Sequence, residues 1–154
     1  MAEYVKPVVF KVNNELYGVD INSVQSIEKQ IQVVSVPNAV SYIRGIINLR
    51  GEVIPVYSFK RKFKQDDSKF TGNAIIINVG SVKIALEVDE VMEISDIDTE
   101  NIMEMPRIVR NKETIYMDKV ANVNGKLIIL INVNILLSRE EKENLKSMVE
   151  NLKD

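Results

Sequence analysis

The sequence predicts a mainly β protein, either a sandwich or a set of small closed barrels. Three observations point there. Short runs rich in Val, Ile and Tyr recur along the chain. Turn-forming pairs separate them at intervals of roughly 8–12 residues. Only two segments carry a helical period. Closing the strands into barrels removes the open edges that so many strand formers would otherwise expose.

Val8–Val12 and Glu15–Val19 are the first two strands. Asn13-Asn14 between them tolerates positive φ and marks a hairpin. Ile21, Val24 and Ile27 fall three apart and predict one or two helical turns. Gln32–Val36, Ile43–Leu49 and Val53–Phe59 follow as strands, with Ile46, Ile47, Leu49, Val53 and Val56 expected inside. Lys64–Asn73 is polar, holds turn formers and divides the chain into halves of similar size. Ala74–Val79 and Val82–Val88 are joined by Gly80-Ser81, a type II′ turn. Ile115–Asp118 is a further strand candidate. Asn124-Gly125, the strongest hairpin signal in the chain, joins Val120–Val123 to Leu127–Val133. At the C-terminus, Ser138 and Glu141 form a capping box. Leu145, Met148, Val149 and Leu152 then make one apolar stripe that docks on the core. No sequence repeat between the halves is visible by inspection.

Composition narrows the function. The 154 residues are 45% hydrophobic and 27% charged, with a net charge of −2, the balance of a soluble globular domain. That charge attracts neither nucleic acid nor acidic lipid as a whole. There is no Cys and no His. Disulfides, thiolate chemistry, the commonest general base and a phospho-accepting histidine are therefore excluded. The longest apolar run, Leu127–Ile131, is far short of a membrane span, and Met1-Ala2-Glu3-Tyr4 lacks the character of a secretory signal. The expected location is cytoplasmic.

Two clusters invite a site and are set aside. Asp96, Asp98 and Glu100 alternate like a calcium loop, but Asn101 stands where the sharp turn needs Gly and Arg107 where a bidentate Glu is required. Lys60–Lys64 is a basic run with one aromatic, Phe63, of the kind small barrels use on nucleic acids. Asp66-Asp67 follow directly and the chain has no Trp, so a strand end with solvated charges is the preferred reading. A nucleic-acid-binding small barrel using Lys60–Lys64 stays as the alternative function. No nucleophile elbow, phosphate loop or dinucleotide fingerprint is present, and no enzyme, metal or cofactor is expected.

The informative segment runs from Gly45 to Val56, Gly-Ile-Ile-Asn-Leu-Arg-Gly-Glu-Val-Ile-Pro-Val. Two apolar strands flank Arg50-Gly51. Gly51 supplies the positive φ of a tight turn. Pro55, lacking an N–H, belongs where its strand needs no donor. Arg50 is exposed by geometry and presents a fork of donors to a carboxylate, either a partner's or one within the same chain.

Together with Tyr42-Ile43-Arg44 before it, this segment resembles the signature of the CheW family of chemotaxis coupling proteins. Tyr17-Gly18-Val19-Asp20-Ile21, Val24-Gln25, Val36-Pro37, Leu86-Glu87-Val88-Asp89-Glu90-Val91 and Leu130–Leu137 continue the likeness in register. Two departures stand out: Ser26 where the family often has Glu, and Ser58-Phe59-Lys60 where Asp-Leu-Arg is usual. Either would retune a partner surface.

The resemblance implies two intertwined five-stranded, SH3-like barrels with a short helix and a C-terminal helix. The whole chain, 1–154, would form one CheW-like domain, its lobes divided near residues 64–73. It implies a non-catalytic adaptor that couples the cytoplasmic tips of methyl-accepting chemoreceptors to the histidine kinase CheA, meeting the membrane only through receptor arrays. A CheA-type kinase would need a phosphotransfer His and an ATP-binding domain, and a CheV-type protein a receiver domain; only the stand-alone adaptor fits. Carried over position by position, the receptor surface comprises Val24 and Ile27 on the short helix, Gly45, Arg50 and Gly51. The kinase surface falls in the second lobe, near Leu86 and Val88.

Overall fold

The computed structural model describes residues 3–65, 70–109, 111–112 and 114–152, Leu152 by its backbone alone. Its strands are β1 (Tyr4–Val5), β2 (Pro7–Val12), β3 (Glu15–Asp20), β4 (Val24–Glu28), β5 (Ile43–Leu49), β6 (Glu52–Tyr57), β7 (Asn73–Val79), β8 (Val82–Val88), β9 (Glu90–Ile94), β10 (Ile97–Asp98), β11 (Ile102–Glu104), β12 (Met117–Val123) and β13 (Lys126–Ile131). Among the described residues, two α-helices, α1 (Phe59–Lys62) and α2 (Arg139–Leu152), complete the fold with four short 3-10 turns.

The main strands form two sheets. One has the order β11-β12-β13-β3-β2-β9, the other β4-β7-β8-β6-β5. Residues Lys64–Asn73 join β6 to β7 within the second sheet, so the two halves of the chain and the two sheets do not coincide. The first half lends the β2–β3 hairpin to the first sheet, and the second half lends the β7–β8 hairpin to the second. The first lobe is the sheet β11-β12-β13-β3-β2-β9 and the second the sheet β4-β7-β8-β6-β5, so the lobes are intertwined.

The two sheets repeat one another in register. Val8 opposite Val19 becomes Ile75 opposite Leu86, a shift of 67 positions. Phe10 opposite Val91 mirrors Ile77 opposite Val24 under the same shift. Ile43 opposite Tyr57 becomes Met117 opposite Ile131, a shift of 74, and both pairs are followed by the same one-residue bulge, at Arg44 and at Asp118. The parallel pairs Val56–Ala85 and Leu130–Gly18 also correspond. The repeat escapes inspection because it conserves polarity and turn chemistry rather than residue identity.

Four expected elements differ, the first being Ile115–Asp118, which begins as a strand only at Met117 and runs on through Val120–Val123 as the single strand β12. Ile21–Ser23 is a single 3-10 turn capped by Asp20, and Val24–Glu28 is a strand; pairing with β7 overrides a weak helical period. Gln32–Val36 makes only one bridge, Val34 to Ile46. β6 ends at Tyr57, because the Ser58 hydroxyl accepts from the Arg61 amide and starts α1. The turns behave as expected: Asn13 and Asn14 both have positive φ, and at the β7–β8 turn Gly80 alone does.

Aromatic rings fill the space between the sheets. Phe59 meets Tyr17, Tyr57, Phe63 and Tyr116 at centroid distances of 5.3–6.0 Å. Helix α2 closes one end with Leu145 buried and Met148 against the same cluster. Its capping box forms as read: Ser138 Oγ accepts from the Glu141 amide, and Glu141 Oε1 from the Ser138 amide, both at 3.0 Å. Leu152's place in the stripe lies outside the described side chains. Burial pushes the Glu141 carboxyl up, but hydrogen bonds from Tyr42 and Ser138 and the charge of Lys62 outweigh it and hold it below its ordinary value.

Candidate functional site

Arg50 and Gly51 form the two-residue turn between β5 and β6, with φ of +52° and +88°. Both central residues are left-handed, the type I′ geometry that matches strand twist. Asn48 Oδ1 accepts from the Gly51 amide at 2.9 Å and staples the turn. The equivalent turn of the other sheet is Asn124-Gly125, stapled by Asn122 Oδ1 at 3.1 Å. The shared pattern, Asn two residues before the turn and Gly at its end, was visible in the sequence, yet Asn48 received no role there. Asn is a common left-handed residue; Arg is not.

The Arg50 side chain is 70% exposed and reaches Glu28 Oε2 with one nitrogen at 3.5 Å. Glu28 ends β4, and β4 and β5 lie at opposite ends of the sheet order. The contact therefore shows the sheet curling until its edges meet. Ile27 is exposed beside Glu28, while Val24 is half-buried and packs on the core. The Glu28 contact thus brings the end of β4 to the Arg50-Gly51 turn, with Glu28 as an unforeseen neighbour, while Ile27, next along the strand, leaves on the opposite face.

Other expected site residues are placed elsewhere. Gly45 is buried: a Cβ there would stand 2.2 Å from the Val34 carbonyl oxygen. It is a close-packing glycine and offers no surface. Leu86 and Val88 are fully buried, as β8 is flanked by β7 and β6, and neither can touch a partner. Val24 and Ile27 sit on a strand rather than a helix.

The two sequence departures also point inward. The Ser26 hydroxyl oxygen is buried without a hydrogen-bond partner among the described residues. Ser58 caps α1, Phe59 is the aromatic hub, and Lys60 is buried against Asp89 at 2.5 Å. Lys62 Nζ donates to the Tyr57 hydroxyl at 2.8 Å and lies over the rings of Tyr42, Tyr57 and Tyr116. The expectation of solvated charges at Lys60–Lys64 is corrected, because two of its cations are committed to the interior. Lys60 and Lys62 are therefore not presented to a nucleic-acid backbone.

A second polar feature lies on β5 and β8. Arg44 donates from Nε and Nη2 to the two oxygens of Glu87, at 2.9 and 2.7 Å. Glu87 is buried, and the Arg44 guanidinium also stacks on Phe70 at 4.7 Å. Such bidentate pairing is what satisfies a buried carboxylate. Asp98, from the supposed calcium loop, caps a 3-10 turn by accepting from the Glu100 amide. No helix is long and apolar enough to cross a membrane among the described residues.

The chain matches a family model described as a CheW-like domain over residues 6–141. It is 31% identical over 136 residues to the chemotaxis protein CheW of Klebsiella aerogenes, covering 87% of this chain and 82% of that protein. It is 28% identical to that of Bacillus subtilis, covering 90% of each. Its structure is similar to the crystal structure of the scaffolding protein TtCheW from Thermoanaerobacter tengcongensis. The TM-score is 0.79 and the identity 34%, with 92% of this chain and 97% of that one covered.

Proposed function

The chain belongs to the CheW-like family, and from that premise we propose that it is a non-catalytic adaptor of bacterial chemotaxis, coupling chemoreceptor cytoplasmic tips to a CheA histidine kinase. The adaptor role is supported by family membership and by likeness to a scaffolding protein along nearly the whole chain. Residues 1–154 act as one domain, since each half of the chain completes the other half's sheet. The location that follows is cytoplasmic, at receptor arrays.

One observation carries the receptor face: an arginine kept in a left-handed turn, largely exposed, in contact with the end of an edge strand that also carries an exposed isoleucine. A left-handed L-residue costs roughly 1–2 kcal/mol, and the twin turn solves the same problem with Asn124. The guanidinium is retained for what it meets outside the fold. An apolar strip with one Arg suits a receptor helix carrying a carboxylate. The kinase face belongs on exposed residues of the second lobe and not on Leu86 or Val88. Scaffolding of this kind needs no tight single contact, because linkage within an array raises effective concentration. Titrating a purified receptor cytoplasmic fragment against the wild-type chain and Arg50→Ala tests the reading: equal affinities would remove Arg50 from the interface.

A further inference from the structure

The internal repeat sets one buried ion pair of the second lobe against an open cavity in the first. Arg44, at the bulge of β5, corresponds to Asp118 at the bulge of β12. Glu87, opposite Ala74 at the end of β8, corresponds to Asp20, opposite Pro7 at the end of β3. Where the second lobe has a guanidinium held by a carboxylate, the first has two carboxylates. Both line a cavity of about 400 Å³, within the roughly 300–1,000 Å³ of ligand sites.

Unlike buried Glu87, Asp20 is exposed and Asp118 half-buried, and the two acids are held but not neutralised. Asp118 Oδ2 accepts from Asn132 Nδ2 at 3.1 Å, and Asp20 Oδ1 accepts from the Asn22 amide at 2.9 Å. The other oxygen of each has no partner among the described residues. Of the two cations at the rim, Lys6 pairs with Asp96 at 3.8 Å, and Lys119 is exposed and makes no ion pair among the described residues. Leu130 and Met103 supply apolar wall, which suits the methylene stem of a long cationic side chain.

We propose that this cavity takes an arginine side chain of a partner protein, its guanidinium bridging Asp20 and Asp118 as Arg44 satisfies Glu87 in the other lobe. The independent ground is the second lobe itself, where the matching positions already hold a guanidinium in bidentate geometry. Arginine fits better than lysine because two separated carboxylates ask for a planar fork rather than a point charge.

The probe is N-acetyl-arginine-amide, which carries the side chain without charged termini, titrated into the ¹⁵N-labelled protein. Saturable shifts at Gly18, Asp20, Asp118 and Asn132 are expected, with N-acetyl-citrulline-amide inert and N-acetyl-lysine-amide weaker. Asp118→Asn and Asp20→Asn, each checked for native dispersion, should weaken the arginine probe at least about tenfold, the loss of one charged hydrogen bond. Equal shifts from citrulline, unchanged binding in both variants, or no saturation would overturn the site. Tighter binding of free L-arginine than of the capped form would overturn the assignment to a protein side chain.

Discussion

Tyr42 donates its hydroxyl proton to Glu141 Oε2 at 2.5 Å, across 99 residues of sequence. That bond ties the approach to β5 to the first turn of α2. Burial, with the Glu141 carboxylate beside it, drives the Tyr42 phenol well above its ordinary value. The Glu141 carboxyl is held low. A depressed carboxyl adds stability above its unfolded value, near 4.3, and loses it as pH falls through the folded one. Urea melts from pH 7 to pH 3 should show α2 docking weakening only below the ordinary carboxylate range. Glu141→Gln should flatten that acid slope; an unchanged slope would show that the bond contributes nothing. Ser138→Ala should cost about 1 kcal/mol through the cap.

Arg50→Ala keeps the left-handed residue, so stability should stay within about 0.5 kcal/mol while receptor binding falls roughly ten- to hundredfold. Arg50→Asn copies the twin turn and should stabilise by about 0.5–1 kcal/mol with the same loss of binding. Gly51→Val should damage the fold first, since a β-branched residue resists φ near +88°. If Arg50→Ala melts early and binds normally, the loose pair with Glu28 is the residue's whole purpose.

Gly45→Ala should be among the most damaging single changes. Its methyl group would collide with the Val34 carbonyl, backbone that is itself bridged to Ile46. Circular dichroism melts should show a loss of several kcal/mol, in the range of overpacked cores. A loss confined to receptor affinity would return Gly45 to the interface.

Ile47 is buried with Ile54 and Val56 in a small cluster of the second lobe. Ile47→Ala should cost ~2–5 kcal/mol in urea melts, and a loss under ~0.5 kcal/mol would contradict that packing. Ser26→Ala should be neutral or stabilising, because it removes a buried hydroxyl that finds no partner.

Much of the fold was legible in the sequence where local chemistry decides it. Asn13-Asn14, Gly80-Ser81 and Asn124-Gly125 mark hairpins because few residues accept their φ values. The Ser138 cap is likewise a local device. What escaped was decided by distant pairing. β9 has two glutamates in five residues and becomes a strand because β2 offers an open edge. The site shows the same division. Arg50-Gly51 was readable as an exposed turn, whereas Glu28 joins it only because the sheet closes on itself. Gly45, Leu86 and Val88 belong to a recognisable motif, yet a motif records what must be kept without saying whether packing or binding requires it.

The exchange of hairpins between chain halves sets an order of events as the protein is made. The β2–β3 hairpin emerges early, but its partners β9 and β13 lie some 70 and more than 100 residues later. Until they appear, Val8, Phe10 and Val19 have nothing of their own sheet to cover them. Contacts this distant in sequence slow folding, and open strand edges invite association in the meantime. A nascent chain with only its first 90 or so residues outside the ribosome would carry the β7–β8 hairpin complete and the first sheet still lacking most of its strands. Such a chain shows its apolar hairpin faces to solvent until the last two strands complete the first sheet.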